Sequence, residues 1–87
     1  PRHGLDGAQL GELFAWTAGE FAERTAGSPL YRIGYERWLR NIAVALGNAP
    51  ASPAVRAALS ARAQDDSAIV REHVAWALAR HDAAAAG

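Results

Sequence analysis

Apolar side chains recur every three or four residues along most of the chain, the spacing that places them on one face of an α-helix. The pattern is clearest between Tyr35 and Leu46. The apolar face of this segment contains Tyr35, Trp38, Leu39, Ile42, Ala45 and Leu46. Its opposite face carries Arg37, Arg40 and Val44. The segment therefore predicts a central helix with one side in the core and an arginine-bearing side in solvent.

Turn and cap residues mark the next helix. Gly47 and Asn48 suit the left-handed backbone conformation that often closes a helix. Ser52 and Pro53 supply an N-cap followed by proline at the first helical position, which predicts a helix over 54–63. The side chains predicted to face inward are Val55, Ala58 and Leu59.

The last helix is predicted from Ala68 to about Arg80, after candidate caps at Asp65, Asp66 and Ser67. Its apolar arc is wide, which predicts packing against two neighbouring helices. The arc contains Ile69, Val70, Val74, Trp76, Ala77 and Leu78. The alanine-rich residues 83–87 are predicted to form a frayed tail.

Two short helices are predicted before the central one. Asp6 is a candidate N-cap for the first, which ends near Trp16. Thr17 and Glu20 form a capping box for the second. The side chains predicted to face the core are Leu10, Leu13, Phe14 and Phe21. A serine–proline pair predicts a further helical turn within residues 28–33.

A short self-similarity points to a repeat architecture. The Ala-x-Ala-Leu ending of the central helix recurs thirty-two residues later, from position 43 to position 75. This superposition aligns Ala43 with Ala75, Ala45 with Ala77, Leu46 with Leu78, and Asn41 with His73. Repeated helices that cannot bury their apolar faces alone stack on their neighbours. We therefore predict an all-α fold of about five helices in antiparallel hairpins, forming a single domain over residues 1–82.

Composition excludes several kinds of chemistry. The chain has 87 residues, a formal net charge of zero and no cysteine. It therefore holds no disulfide and no thiolate metal site, and it fits a reducing, cytoplasmic compartment. No apolar run approaches the length of a membrane span, so no membrane partner is expected. The three histidines lack metal-ligand spacing, and no catalytic motif is present, so we predict no metal, cofactor or catalytic residue within this chain.

The arginines are unevenly distributed. Residues 32–62 carry five arginines against Glu36 alone, whereas residues 1–31 and 63–87 each carry two arginines and four acids. Every basic residue is arginine, whose planar guanidinium forms bidentate contacts with phosphate and carboxylate groups. A GC-rich coding bias would explain the missing lysines, but it does not explain the clustering.

Two resemblances extend this interpretation. The hairpin formed by the last two predicted helices resembles a HEAT-type repeat. The block GSPLYRIGYERWLRNIAVALGN, from Gly27 to Asn48, and the block IVREHVAWALARH, from Ile69 to His81, resemble the C-terminal region of the tRNA epoxyqueuosine reductases. The features that carry this resemblance are the Arg40-Asn41 dipeptide and the Ala-Leu-Gly-Asn ending that follows it.

The family resemblance implies what the larger protein does. The full enzyme, an oxidoreductase, would reduce epoxyqueuosine to queuosine in tRNA with a cobalamin and two [4Fe-4S] clusters. Its catalytic and cluster-binding residues would lie upstream, and residues 1–5 are interpreted as the end of that preceding part. The chain would then be a non-catalytic fragment whose partners are substrate tRNA and the catalytic core of the same polypeptide. The alternative is a free-standing HEAT-like module for protein–protein contact.

The arginine cluster supplies the candidate tRNA contacts. Arg37 and Arg40 lie one turn apart on the outward side of the central helix, with Arg32 close in sequence. Arginine contacts with phosphates give affinity that is independent of base sequence and sensitive to salt. Asn41 is a candidate nucleotide contact, and Arg56 is a weaker phosphate candidate. Each arginine can instead be a solvated charge or part of an intramolecular pair.

Several other polar or aromatic residues also have both a structural and a ligand-binding interpretation. Arg62 is the weakest arginine candidate because it lies on an apolar stripe. Asn41 and His73 are favoured as hydrogen-bonding contacts to an adjacent loop or helix end rather than as ligand contacts. Trp38 and Trp76 could stack on bases, but their positions favour packing. For Trp16, both interpretations, stacking on a base and packing, stay open.

Overall fold

The computed structural model describes residues 7–27 and 34–86. These ranges form five helices and no strand, as the all-α prediction requires. The helices are α1 (Gly7–Phe14), α2 (Ala18–Thr25), α3 (Tyr35–Asn48), α4 (Pro53–Ala61) and α5 (Ala68–Ala86). No described helix is long and apolar enough to cross a membrane. Asp6, Arg32 and the turn predicted within 28–33 lie outside the described residues.

Three helix starts, those of α2, α4 and α5, are fixed by caps that the sequence predicts. Thr17 Oγ1 accepts a hydrogen bond from the Glu20 amide at 3.1 Å, and Glu20 Oε1 accepts one from the Thr17 amide at 2.9 Å. Ser52 caps α4 by accepting from the Val55 amide at 3.1 Å. Ser67 caps α5 in the same way. Each cap satisfies an amide that has no partner within its own helix.

Four of the helices form two antiparallel hairpins. In the first, the hydroxyl of Tyr35, at the start of α3, donates to the carbonyl of Trp16, just past the end of α1. The second joins α4 to α5. Arg56, near the start of α4, pairs with Asp82, near the end of α5, at 2.6 Å. The contacts therefore confirm the predicted hairpin arrangement of a helical repeat.

The two hairpins stack so that equivalent helices run parallel. Ser67, before α5, donates its hydroxyl to Glu36 at the start of α3. At the other end, the ring Nε2 of His81 lies 2.8 Å from the carbonyl oxygen of Leu46. Helices α1 and α4 also run parallel. Gly7 at the start of α1 approaches Val55 near the start of α4, and Arg62, just after α4, reaches the carbonyl of Phe14 at the end of α1. The structure thus has one layer of α1 and α4 and another of α3 and α5.

The core lies between these layers. Its buried members are Phe14, Leu39, Ile42, Ala43, Leu46, Val55, Leu59, Val70, Val74 and Ala77. Leu39, Ile42 and Leu46 confirm the predicted inner face of the central helix, and Val55 and Leu59 confirm that of α4. Burial of these apolar side chains is the main favourable contribution to folding.

An aromatic cluster attaches α2 to the first hairpin. The ring of Trp16 stacks on that of Trp38, with centroids 5.4 Å apart. Phe21 of α2 lies tilted against Tyr35 and Trp38 at 5.7 and 5.3 Å. The packing role predicted for Trp38 is confirmed, and Trp16 has a packing role as well.

The spacing of the repeat in the structure is 31 residues, one fewer than in the sequence superposition. Leu39, Ala43 and Leu46 of α3 are buried, and the buried positions of α5 include Val70, Val74 and Ala77, each 31 residues later. The alignment at 32 residues instead matches buried Ala43 with exposed Ala75. One residue rotates a helical position by about 100°, so the correct register is the one in which the apolar faces meet.

The last helix departs from prediction in two respects. It continues to Ala86, beyond the predicted end near Arg80, through the residues assigned to a frayed tail. Alanine has the highest helix propensity, which favours this continuation. Its buried face is also narrower than predicted, because Ile69 and Trp76 remain 37% and 40% exposed.

Gly47 has a different role from the helix-closing one that we predicted. It lies inside α3, where the backbone is helical. A Cβ built on Gly47 would lie 2.5 Å from Trp76 Cζ3 and 3.1 Å from Ala77 Cβ. The absence of a side chain therefore allows α5 to approach α3 closely.

We expect Gly47→Ala to lower the free energy of unfolding by about 1–3 kcal/mol, because the new methyl group overpacks this contact. Gly19→Ala is the matched control. Gly19 is also helical, but its nearest neighbour is Thr17 Oγ1 at 3.9 Å, so alanine should stabilise by about 0.4–1 kcal/mol. Urea unfolding measures both. A stabilising effect at both positions would contradict the close approach of the two helices.

Candidate nucleic-acid interface

The best-connected arginine of the described structure is Arg62, which we ranked as the weakest candidate. Its Nε donates to the carbonyl of Phe14 at 2.6 Å, and its Nη2 donates to the carbonyl of Trp16 at 2.8 Å. Nη2 also donates to the Tyr35 hydroxyl, and Nη1 pairs with Asp65 at 2.8 Å. The guanidinium further lies over the rings of Phe14 and Tyr35. Arg62 is therefore a structural cap on α1 and is not available to a ligand.

Arg62→Ala should lower the free energy of unfolding by about 2–4 kcal/mol, because it leaves the Phe14 carbonyl without its side-chain donor and the mostly buried Asp65 carboxylate without its cation. Arg56→Ala is the comparison. Its ion pair with Asp82 has side-chain exposures of 47% and 67%, so the loss should be below about 1 kcal/mol. Chemical unfolding would measure both losses, and equal losses would show that the Arg62 contacts add nothing.

Arg56 does not join the other candidates. Its partner Asp82 follows His81, which lies at the C-terminal end of α3. Arg37 lies near the start of the same helix. The structure therefore places Arg56 at the opposite end of the hairpin stack, in the other helical layer, and its charge is already paired.

Arg37, Arg40 and Asn41 do share one surface. Arg37 is exposed and has no hydrogen-bond or ion-pair partner among the described residues. Arg40 is partly buried, and its Nη2 donates to Asn41 Oδ1 at 3.0 Å. Glu36 accepts the Ser67 hydroxyl instead of pairing with Arg40. The result is two outward guanidinium groups on successive turns of α3 that lack an acidic partner within 7–27 and 34–86.

The predicted contacts of Asn41 and His73 with an adjacent loop or helix end are not seen. His73 Nδ1 bonds the carbonyl of Ile69 one turn back in its own helix, at 2.7 Å. Asn41 bonds its neighbour Arg40. The side-chain hydrogen bonds from α5 to the end of α3 come from Arg80 and His81.

A groove next to the arginine surface was not predicted from the sequence. It lies on the outer side of α3 and α5, and its lining residues are Val44, Glu72, His73 and Trp76. We assigned Trp76 to packing because the apolar arc of α5 is wide. No other helix of residues 7–27 and 34–86 covers this side of α5, so the wide apolar arc does not become an equally wide buried face.

The described residues show no metal-binding arrangement. No group of three or more histidine, cysteine, aspartate or glutamate side chains lies close enough to hold an ion within this part of the chain. What the surface offers is a pair of outward arginines, an amide and an adjoining apolar groove. Such a surface can bind phosphate groups through the guanidinium groups and flat apolar groups in the groove.

Comparison with known proteins identifies homologous segments. The chain is 65% identical to "Epoxyqueuosine reductase" of Xanthomonas campestris pv. campestris over 92% of its length, which is 22% of that protein. It is 63% identical to the protein of the same name from Pseudomonas aeruginosa, over 93% of the chain and 22% of the relative. It is 49% identical to the protein of the same name from Escherichia coli, over 92% of the chain and 21% of the relative. The chain is thus homologous to a segment of about one fifth of these proteins.

No protein-family model matches the sequence. No solved structure matches it either.

Proposed function

We propose that this chain is the non-catalytic C-terminal module of a tRNA epoxyqueuosine reductase, with a HEAT-like fold that packs on the catalytic core and helps bind substrate tRNA. The observation that carries the tRNA role is the unpaired arginine surface of α3. Similarity to one segment of three longer epoxyqueuosine reductases supports the assignment to such a parent. We propose a cytoplasmic location for that parent.

The parent enzyme would reduce epoxyqueuosine in tRNA, and its cofactors would be a cobalamin and two [4Fe-4S] clusters. Iron–sulfur clusters are held by cysteine thiolates, and this chain contains no cysteine. Its residues therefore do not fit a cluster, and no step of the reaction is derived from them. The role that we propose for the module is to help bind and position the RNA.

The arginine surface suits RNA phosphates for two physical reasons. A guanidinium offers five donors in a planar fork, which matches the oxygens of a phosphate. Arg37 and Arg40 also project from one rigid helix, about 4.5 Å apart along its axis, so they bind with little loss of backbone freedom. Asn41 beside them holds one guanidinium in place and keeps its own amide nitrogen available to a nucleotide.

The alternative role as a free-standing protein-interaction module has less support. The homologous segments belong to proteins about five times as long as the matched region, since the match covers 22% of each of the first two relatives. In such a protein, a helical module would have a partner within its own polypeptide.

The test uses the full-length protein and its substrate tRNA. The double variant Arg37→Ala, Arg40→Ala should weaken tRNA binding and flatten the plot of log affinity against log salt. Two lost phosphate contacts should reduce the slope by about 1.4–1.8. Filter binding or fluorescence anisotropy over a range of salt concentrations measures both quantities.

Arg56→Ala serves as the control, because Asp82 already neutralises that side chain. It should change affinity and slope much less than the double variant does. A folded double variant with unchanged affinity and slope would remove the RNA-binding role from this face. Recovery of a separate protein partner that tRNA does not displace would favour the alternative.

A further inference from the structure

The exposed large apolar side chains of the described residues all lie on the outer side of α3 and α5. They are Val44, Ile69 and Trp76, with 36%, 37% and 40% of their surfaces exposed. Val44 and Trp76 line one groove together with Glu72 and His73. A tryptophan exposed in this way is the largest apolar surface that the groove presents.

Trp76 is held in place from its inner side. Its ring lies against the backbone of Gly47, where even a Cβ would be 2.5 Å from Cζ3. Arg80 lies over the ring, with its Cζ 5.2 Å from the centroid, and its Nε donates to the Gly47 carbonyl at 3.1 Å. The indole is therefore fixed before any ligand arrives, which lowers the entropy cost of binding a flat group.

The groove continues the arginine surface. Val44 lies one turn beyond Arg40 and Asn41 on α3, so the two outward guanidinium groups and the groove share one side of that helix. Arg80, whose Nε holds the Gly47 carbonyl, adds a third positive charge over the Trp76 ring beside the groove, and Glu72 is the carboxylate in the groove lining. A ligand that combines negative charge with a flat apolar ring matches this arrangement.

We propose that Trp76 stacks on an unpaired nucleobase of RNA whose phosphates are bound by the arginines of α3. This inference rests on the proposed function and adds a base contact to it. Aromatic side chains beside a positively charged surface are a general means of binding single-stranded RNA, since every base offers a ring face. Val44 and His73 would line the space that the base enters.

A base fits the groove better than a protein surface does. A specific protein interface buries roughly 800 Å² on each partner. The groove offers two large apolar side chains, Val44 and Trp76, and each keeps no more than 40% of its surface exposed. That area suits one ring, and the arginines beside it favour a partner that carries phosphates.

The experiment measures binding of substrate tRNA to the full-length protein with Trp76 replaced. Trp76→Leu keeps an apolar side chain against Gly47 but cannot stack, so affinity should fall roughly 5- to 100-fold. The salt dependence should stay unchanged, because no phosphate contact is lost. Trp76→Phe keeps a flat ring and should restore most of the affinity.

Two controls separate base stacking from a general apolar contact. Ile69→Ala removes a side chain of similar exposure on the same side of α5 that does not line the groove, and it should leave tRNA affinity unchanged. A fully paired RNA duplex offers no free base, so Trp76→Leu should bind it as the unsubstituted protein does.

The inference is overturned if Trp76→Leu binds tRNA normally, or if it weakens duplex binding equally. Equal losses from Ile69→Ala and Trp76→Leu would also overturn it, since they indicate an apolar contact with protein. If the arginine double variant still loses affinity in these cases, the proposed function stands and the base contact alone fails. If neither Trp76→Leu nor the double arginine variant weakens tRNA binding, the base contact and the proposed function both fail.

Discussion

The hairpin stack depends on how the carbonyl groups at the ends of its helices are satisfied. The last carbonyls of a helix have no partner within it, and leaving them buried without a donor costs free energy. At the end of α1, Arg62 from the second hairpin donates to the carbonyls of Phe14 and Trp16. At the end of α3, Arg80 and the Nε2–H of His81 do the same for Gly47 and Leu46. The second hairpin thus caps the first as well as packing on it.

This capping determines which positive charges remain for a ligand. Arg62 and Arg80 are bound to backbone oxygens, and Arg71 holds the turn before α5 through the carbonyls of Asp65 and Asp66. Arg24 lies over Trp16, and Arg56 pairs with Asp82. Of the basic stretch seen in the sequence, Arg56 and Arg62 therefore have structural partners, whereas Arg37 and Arg40 face outward. Within the described ranges, Arg37 and Arg40 of α3 are the arginines whose guanidinium groups hold no backbone carbonyl, acidic side chain or aromatic ring.

Much of the fold could be predicted from sequence because local signals fix it. The capping box, the serine caps and the apolar face of α3 depend on residues within a few positions of one another. The role of Arg62 could not be predicted, since its acceptors Phe14 and Trp16 lie 48 and 46 residues away. The predicted register of the repeat was wrong by one residue, because identical residue types in two segments do not show which side of a helix meets its neighbour. The exposure of Trp76 likewise depends on which helices are present to cover it.

The contact between Gly47 and Trp76 links the fold to the outer groove. Because Gly47 has no side chain, α5 lies close enough for Arg80 to cap α3 and for the indole to rest against its backbone. The same arginine then lies over the indole ring. The cap that completes α3 is therefore also the support that fixes Trp76 beside Val44. A change that loosens this contact should disturb the groove before it disturbs the core, because Phe14, Leu39 and Leu59 lie inside the layers and not at this edge.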